Sequence, residues 1–241
     1  MDIQPYFEKW DGLLRRADWY IAVVPELKFL QAEIEKLDAE SQAARKQEIY
    51  NYFEKHLAAQ NIVLGDNRGY FDRERQPIDT VVIHHTHHPP GMTAEQLSAI
   101  ELIRLYAPYF SNPDAGDNDI KGSAIFSGHA RNGRQVFWPY HWIVRGDGSA
   151  ERFLEDGETG WHAGNWDINC RSIAIVFDNN YEHGAPSDVE LRSAAAIIKN
   201  HYPAVPRERI LGHREVNPKT ICPSNLFIST WKETLLRAIS E

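Results

Sequence analysis

Apolar and polar positions follow two regimes along this chain. Up to about residue 74 it is rich in Glu, Lys, Gln and Ala and poor in Gly, and its apolar residues recur at helical spacing. Leu30, Ile34 and Leu37 follow Leu27 by three, seven and ten residues, which lays an apolar stripe on one helix. Pro25 suits the first turn of that helix. After a polar interval from Asp38 to Lys46, Ile49, Phe53 and Leu57 mark a second helical face. Residues 1–74 therefore read as a helical hairpin or cap, whose expected role is packing against the rest of the chain or a second subunit. Trp10, Trp19 and Tyr20 within it suit either a core or a sugar-binding face.

Beyond residue 74 the pattern shortens to strands and turns. Asn61 to Pro77 reads as a linker or crossing segment, and Asp79-Thr-Val-Val-Ile-His-His-Thr86 is the strongest buried-strand signal in the chain. His87-His88-Pro89-Pro90-Gly91 is turn-rich, so its histidines read as solvated. Thr93 followed by Gln96 predicts a capping box for a helix carrying Leu97, Ile100 and Ile103. The polar stretch Ser111 to Gly122 reads as a surface loop, and Asp114, Asp117 and Asp119 lack the spacing of a calcium loop. Phe137 to Leu154, interrupted by Gly146-Asp147-Gly148, reads as a hairpin. Arg171 to Asp178 is a further buried strand, Ser187 to His201 a capped amphipathic helix, and Asn225 to Ser240 a closing helix. The expected fold is α/β: a central mixed β-sheet flanked by helices over residues 75–241, preceded by the N-terminal helical extension.

Composition narrows the function. The 241 residues are 42% hydrophobic, enough for a sizeable core, and the net charge of −8 with no basic stripe argues against a nucleic-acid partner. Two cysteines, Cys170 and Cys222, do not make a disulfide scaffold. No secretory signal opens the sequence and no run of 18 apolar residues occurs, so the expectation is a chain without a transmembrane segment, either cytoplasmic or released by a non-standard route.

Candidate chemistry gathers in two places. In Ile210-Leu-Gly-His213-Arg-Glu-Val-Asn-Pro-Lys219-Thr-Ile-Cys222-Pro-Ser224 an apolar pair runs into a glycine turn, and Pro218 and Pro223 forbid a continuing helix, so His213 and Cys222 are expected on a loop. Imidazole and thiolate are zinc ligands, and a catalytic zinc takes three protein ligands while leaving one position open. The third is sought at the end of the first core strand, where the two-residue pleat sends His84 and His85 to opposite faces. A fourth protein ligand, for which His162 or His85 stands nearest, would instead make the zinc structural. The loop Gly160-Trp-His-Ala-Gly-Asn-Trp166 combines small residues with flat indoles that suit sugar rings or peptide methyls, or else it is a tight loop sealed by tryptophans. His85, Trp161, His162, Asn165 and Trp166 are accordingly the candidate substrate-binding residues.

Five segments together carry a family resemblance: Val82-Ile-His-His-Thr86, Tyr140-His141 before Arg145-Gly-Asp-Gly148, Trp161-His-Ala-Gly164, Ser172-Ile-Ala-Ile175, and Gly212-His213 through Lys219 to Cys222-Pro-Ser224. In order and kind they resemble the zinc-dependent type-2 N-acetylmuramoyl-L-alanine amidases, which share a domain with peptidoglycan recognition proteins and short phage amidase-type lysozymes. The resemblance covers about residues 78 to 235 and leaves residues 1–74 outside. It implies zinc held by His84, His213 and Cys222, a peptidoglycan or muropeptide substrate, and catalytic roles for Lys219 and Tyr140. There are departures. Cytosolic anhydro-muropeptide amidases of the family place Glu where this chain has Val176, with Asp178 two residues later, and Asp where it has Cys222. Proton transfer is thereby expected from Tyr140, Lys219 or the zinc-activated water rather than from a glutamate. Receptor-only members usually lack the cysteine, so Cys222 points to catalysis over a binding module using the same groove.

Overall fold

The computed structural model describes residues 1–112, 120 and 122–241; the acidic residues Asp114, Asp117 and Asp119 lie outside them. The described chain forms two compact units, residues 1–70 with 93–137 and residues 71–92 with 138–241.

The first unit is helical. Helix α1 (Gln4–Leu13) carries Pro5 in its first turn, where the missing N–H costs nothing. Helix α2 spans Trp19–Ile34, so Pro25 lies inside it and Leu37 beyond it, against the start expected near Pro25. Burial of Trp19, Tyr20, Val23 and Val24 on this first stretch outweighs the hydrogen bond that an interior proline removes. Helix α3 (Ala39–Ala58) takes in the supposed polar interval, because the Asp38 carboxylate accepts the Ser41 N–H and starts the helix there. Thr93 and Gln96 form the expected capping box of α4 (Ala94–Glu101), which runs through a π-helical turn, Leu102–Tyr106, into α5 (Ala107–Ser111). A short antiparallel ladder, Ala130–Arg131 with Arg134–Gln135, turns on Asn132 and Gly133, both at positive φ. Trp10, Trp19 and Tyr20 are core residues: Trp10 donates to Glu26 Oε2 (2.7 Å), the Tyr20 hydroxyl donates to the Ser123 carbonyl (2.8 Å), and the rings of Trp10 and Trp19 pack against Phe53.

The second unit is built on a mixed five-stranded sheet. Its strands are β1 (Thr80–His85), β2 (Trp142–Val144), β3 (Ala150–Arg152), β4 (Ser172–Phe177) and β5 (Ile210–Gly212), in the order β3-β2-β4-β1-β5. β1 lies between β4 and β5 and is parallel to both, β2 is parallel to β4, and β3 runs antiparallel to β2. A strand buried on both faces needs apolar side chains throughout, which the Val81-Val82-Ile83 run supplies. Between β2 and β3 the Arg145 N–H donates to the Ser149 carbonyl and Gly148 sits at φ +84, where a glycine is preferred.

Helices α6 (Trp166–Arg171), α7 (Asp188–His201), α8 (His213–Val216) and α9 (Lys232–Ser240) complete this unit. α7 has a capping box between Ser187 and Glu190. Val81, Ile83, Ile173, Ile175 and Phe177 share one core with Leu191, Ala194 and Ile198 of α7 and with Leu235 and Leu236 of α9. The pleat therefore sends the even-numbered residues of β1 and β4, including His84, Ser172 and Val176, to the opposite face. His213 opens the single helical turn α8 rather than lying on an extended loop, and the turn ends at Val216, ahead of Pro218.

Candidate metal centre and active site

In parallel sheets, ligand sites form beyond the carboxyl ends of the strands. Ile83 aligns with Gly212 in the β1–β5 ladder, so the next residues along each chain, His84 and His213, come together there. Their ring centroids are 4.7 Å apart. The chain returns to this edge because the Arg214 N–H donates to the Cys222 carbonyl (2.7 Å) and the Arg214 guanidinium to the Ser224 carbonyl (3.0 Å), closing the loop after α8. Cys222 Sγ then lies 3.7 Å from His84 Nδ1. One donor atom from each of His84, His213 and Cys222 falls within 4.8 Å of the other two.

Burial governs the protonation of all three. It holds the His84 imidazole well below the usual histidine range, reinforced by His213, His162 and His85. Burial also pushes His213 down to about 4, against the opposing pull of a hydrogen bond to the Ala163 backbone. The Cys222 thiol is pushed up to about 12 by burial, partly offset by the His85 backbone amide. The centre thus presents two neutral imidazoles and a thiol, and a divalent cation would displace the thiol proton on binding. His213 Nε2 is buried with no hydrogen-bond partner, a cost that a metal at this point relieves. Two nitrogens and one sulfur, converging with a fourth direction left over, fit zinc.

The other expected site residues fall at various distances from this centre. The Tyr140 ring is half-buried and 5.1 Å from that of His84. Lys219 is exposed on the loop leading to Cys222, its backbone N–H donating to Asn217 Oδ1. His85 is on the α7/α9 side of β1, where its Nδ1 accepts the Tyr181 N–H (2.8 Å). Trp161 packs edge-on against Phe71 at 4.7 Å, and Trp166 donates from Nε1 to Glu74 Oε2 (2.7 Å). Asn165 caps α6 by accepting the Ile168 N–H. His162 of that loop reaches the candidate ligand cluster, its Nδ1 3.1 Å from His84 Nε2. His87 is exposed and faces Glu182.

The matched family model is that of the N-acetylmuramoyl-L-alanine amidases, "Amidase_2", over residues 74–225, which include every ligand of the centre. The chain belongs to this amidase family. A search by sequence among curated proteins gave no match. Solved structures similar to the chain include the endolysin N-acetylmuramoyl-L-alanine amidase LysCS from Clostridium intestinale URNW, at 19% identity over 69% of this chain and 86% of that one, with a TM-score of 0.45. An AmpD structure is 17% identical over 73% and 92% of the two chains, with a TM-score of 0.46. Drosophila peptidoglycan recognition protein SD is 20% identical over 62% and 76%, with a TM-score of 0.39.

Within the matched region, Val176 pairs with His84 across β1 and β4, so the strand neighbour of His84 is apolar. Asp178 is committed elsewhere, accepting the Gly91 and Met92 N–H groups and pairing with Arg145 at 2.6 Å. Three supporting residues are given no role in the sequence reading. Arg75, within the supposed linker, donates to the carbonyls of Asp156, Asn169 and Ser172, and Asn169 Oδ1 accepts the N–H groups of His162 and Ala163. Ser172 lies within reach of His162 Nε2. A lone Arg among mixed charges and an Asn in a short helix have no local pattern that marks them, while Ser172 opens one of the segments that carry the family resemblance.

Proposed function

We propose that this amidase-family chain is a zinc-dependent hydrolase that cleaves the amide bond between N-acetylmuramic acid and L-alanine in peptidoglycan or muropeptides. The observation that carries the reading is the convergence of His84, His213 and Cys222 donor atoms within 4.8 Å at the carboxyl edge of the sheet. Zinc held there supplies Lewis acidity to a water and to the scissile carbonyl. Lys219 directs its ammonium to the oxyanion that develops when the amide carbonyl is attacked, the kind of donor whose loss costs about 10²–10³ in rate. Tyr140, beside His84, orients the water or passes a proton to the leaving amine. Val176 and Asp178 take no part in proton transfer in this scheme. The chemistry is assigned to residues 75–241, with residues 1–74 as an appended helical element.

The test is mass spectrometry of a muramyl-tripeptide incubated with zinc-loaded protein and, separately, with chelator-treated protein. Release of free peptide beginning at L-alanine, abolished by the chelator, is the expected result. A fragment that stays intact while zinc is bound overturns the hydrolase reading in favour of a muropeptide-binding module.

A further inference from the structure

His162 sits in the glycine- and tryptophan-rich loop that sequence reasoning assigned to substrate, yet it is 5% exposed and its ring contacts protein on both nitrogens. The donor directions along its contacts can be worked out from one fixed end. The Ile168 carbonyl can only accept, so Ser172 Oγ, 2.5 Å away, donates to it. Having used its one proton, Ser172 Oγ accepts from His162 Nε2 at 3.1 Å. His162 Nδ1 is then the unprotonated nitrogen of a neutral ring and accepts from His84 Nε2 at 3.1 Å. That leaves the lone pair of His84 on Nδ1, the atom 3.7 Å from Cys222 Sγ.

Asn169 Oδ1 fixes His162 and the adjacent Ala163 through their N–H groups, at 3.2 Å for His162 and 2.8 Å for Ala163.

We propose that His162, pinned by Asn169 and terminated by Ser172, sets the tautomer of His84 and so leaves its Nδ1 lone pair facing Cys222 before any metal arrives. His162 is a positioning residue for the zinc centre rather than a substrate contact or a fourth ligand. A metal-bound histidine is held in one orientation by the partner of its other nitrogen, and loss of such a partner typically weakens metal binding about 10–100-fold. The proposal rests on the zinc reading above, but its tautomer component does not depend on metal.

The experiment uses the full chain and two readouts. Long-range ¹H–¹⁵N spectra of the metal-free protein report the His84 tautomer, and competition with a chromophoric chelator reports the zinc dissociation constant. Wild type is expected to show a single Nε2–H tautomer for His84. His162→Ala is expected to weaken zinc binding about 10–100-fold, and His162→Asn, which restores an acceptor near Nδ1, to recover most of it. Ser172→Ala keeps the volume of His162 and is expected to turn the single tautomer into a mixture, which keeps the test decisive should His162→Ala not fold. Unchanged His84 nitrogen shifts and unchanged zinc affinity in the folded variants overturn the proposal. Failure of the wild type itself to bind zinc would sink the metal reading instead, and the two failures are separable because the tautomer is read without metal.

Discussion

His84 and His213 stand with ring centroids 4.7 Å apart because the parallel β1–β5 ladder aligns Ile83 with Gly212 and both chains leave the sheet at the same edge. Neither residue could be moved by one position without losing the pair, since a one-residue slip on β1 sends the side chain to the α7/α9 core. His85 shows the alternative: it lies on that core side, bound to the Tyr181 N–H.

Cys222 is the candidate ligand whose loss is expected to separate metal binding from folding. Cys222→Ser keeps the side-chain volume nearly unchanged but replaces a soft sulfur by a hydroxyl. Zinc retained after dialysis, measured by atomic emission, is expected to fall by more than the roughly 10–100-fold that an outer partner contributes. A serine variant that holds one zinc per chain as tightly as the wild type would remove Cys222 from the ligand set.

Lys219 has the opposite signature. Lys219 is exposed and outside the His84–His213–Cys222 donor group, so Lys219→Ala is expected to leave zinc binding unaffected. Turnover of a muramyl-peptide is expected to fall by about 10²–10³ with little change in substrate affinity. Full turnover in a zinc-loaded Lys219→Ala protein would exclude an oxyanion role.

The buried histidines are expected to make the metal-free protein acid-labile. Burial, with smaller contributions from His87, His213 and His88, lowers His85 to about 4, and burial lowers His213 to about 4 as well. Their ordinary value of about 6.5 applies in the unfolded chain. Between about pH 6.5 and pH 4 the unfolded state binds protons that the folded state does not, so stability rises with pH across this window and is lost as pH falls. Each shift corresponds to on the order of 3 kcal/mol. Urea unfolding of chelator-treated protein from pH 7 down to about 4 is expected to show a progressively lower midpoint, and a flat profile would contradict the buried, neutral assignment.

Asp178 is a structural anchor. It is 2% exposed, holds the Gly91 and Met92 N–H groups and pairs with Arg145. Asp178→Ala leaves two amides without an acceptor, while Arg145 keeps the Met92 carbonyl and Glu151, and is expected to lower unfolding free energy by about 1–3 kcal/mol. Denaturant unfolding at neutral pH measures it; a change under about 1 kcal/mol would show that the pair contributes little.

Gly212 tests how tightly the strand end is packed. A Cβ there meets the Phe227 ring at 2.6 Å and Pro223 Cδ at 2.8 Å. Gly212→Ala is expected to destabilise by about 1–3 kcal/mol and to weaken zinc binding by displacing the adjoining His213, both read in one calorimetric titration series. Wild-type affinity and stability together would mean that the Phe227 ring yields freely.

Much of the architecture was written locally. The Thr80–His85 run, the Thr93–Gln96 and Ser187–Glu190 capping boxes and the turn at Gly146-Asp147-Gly148 each depend on residues a few positions apart, and each is present. The start of α2 was not legible, because Pro25 is a strong local signal and the burial of Trp19 and Tyr20 that overrides it is a tertiary effect. α3 likewise began earlier than its apolar face suggested, since the cap at Asp38 matters more than the polarity of its first turns.

By itself the sequence determined the donor types, the strand that carries His84 and the turn that follows Gly212. Only the tertiary structure decided that Ile83 aligns with Gly212, that Val81 and Ile83 face α7 and α9 and so turn His84 the other way, and that Trp161, Asn165 and Trp166 pack against Phe71, cap α6 and bond Glu74. Propensity and capping act between neighbours along the chain. The hydrogen bond between His84 and His162, 78 residues apart, exists only once the sheet has placed their strands and loops side by side.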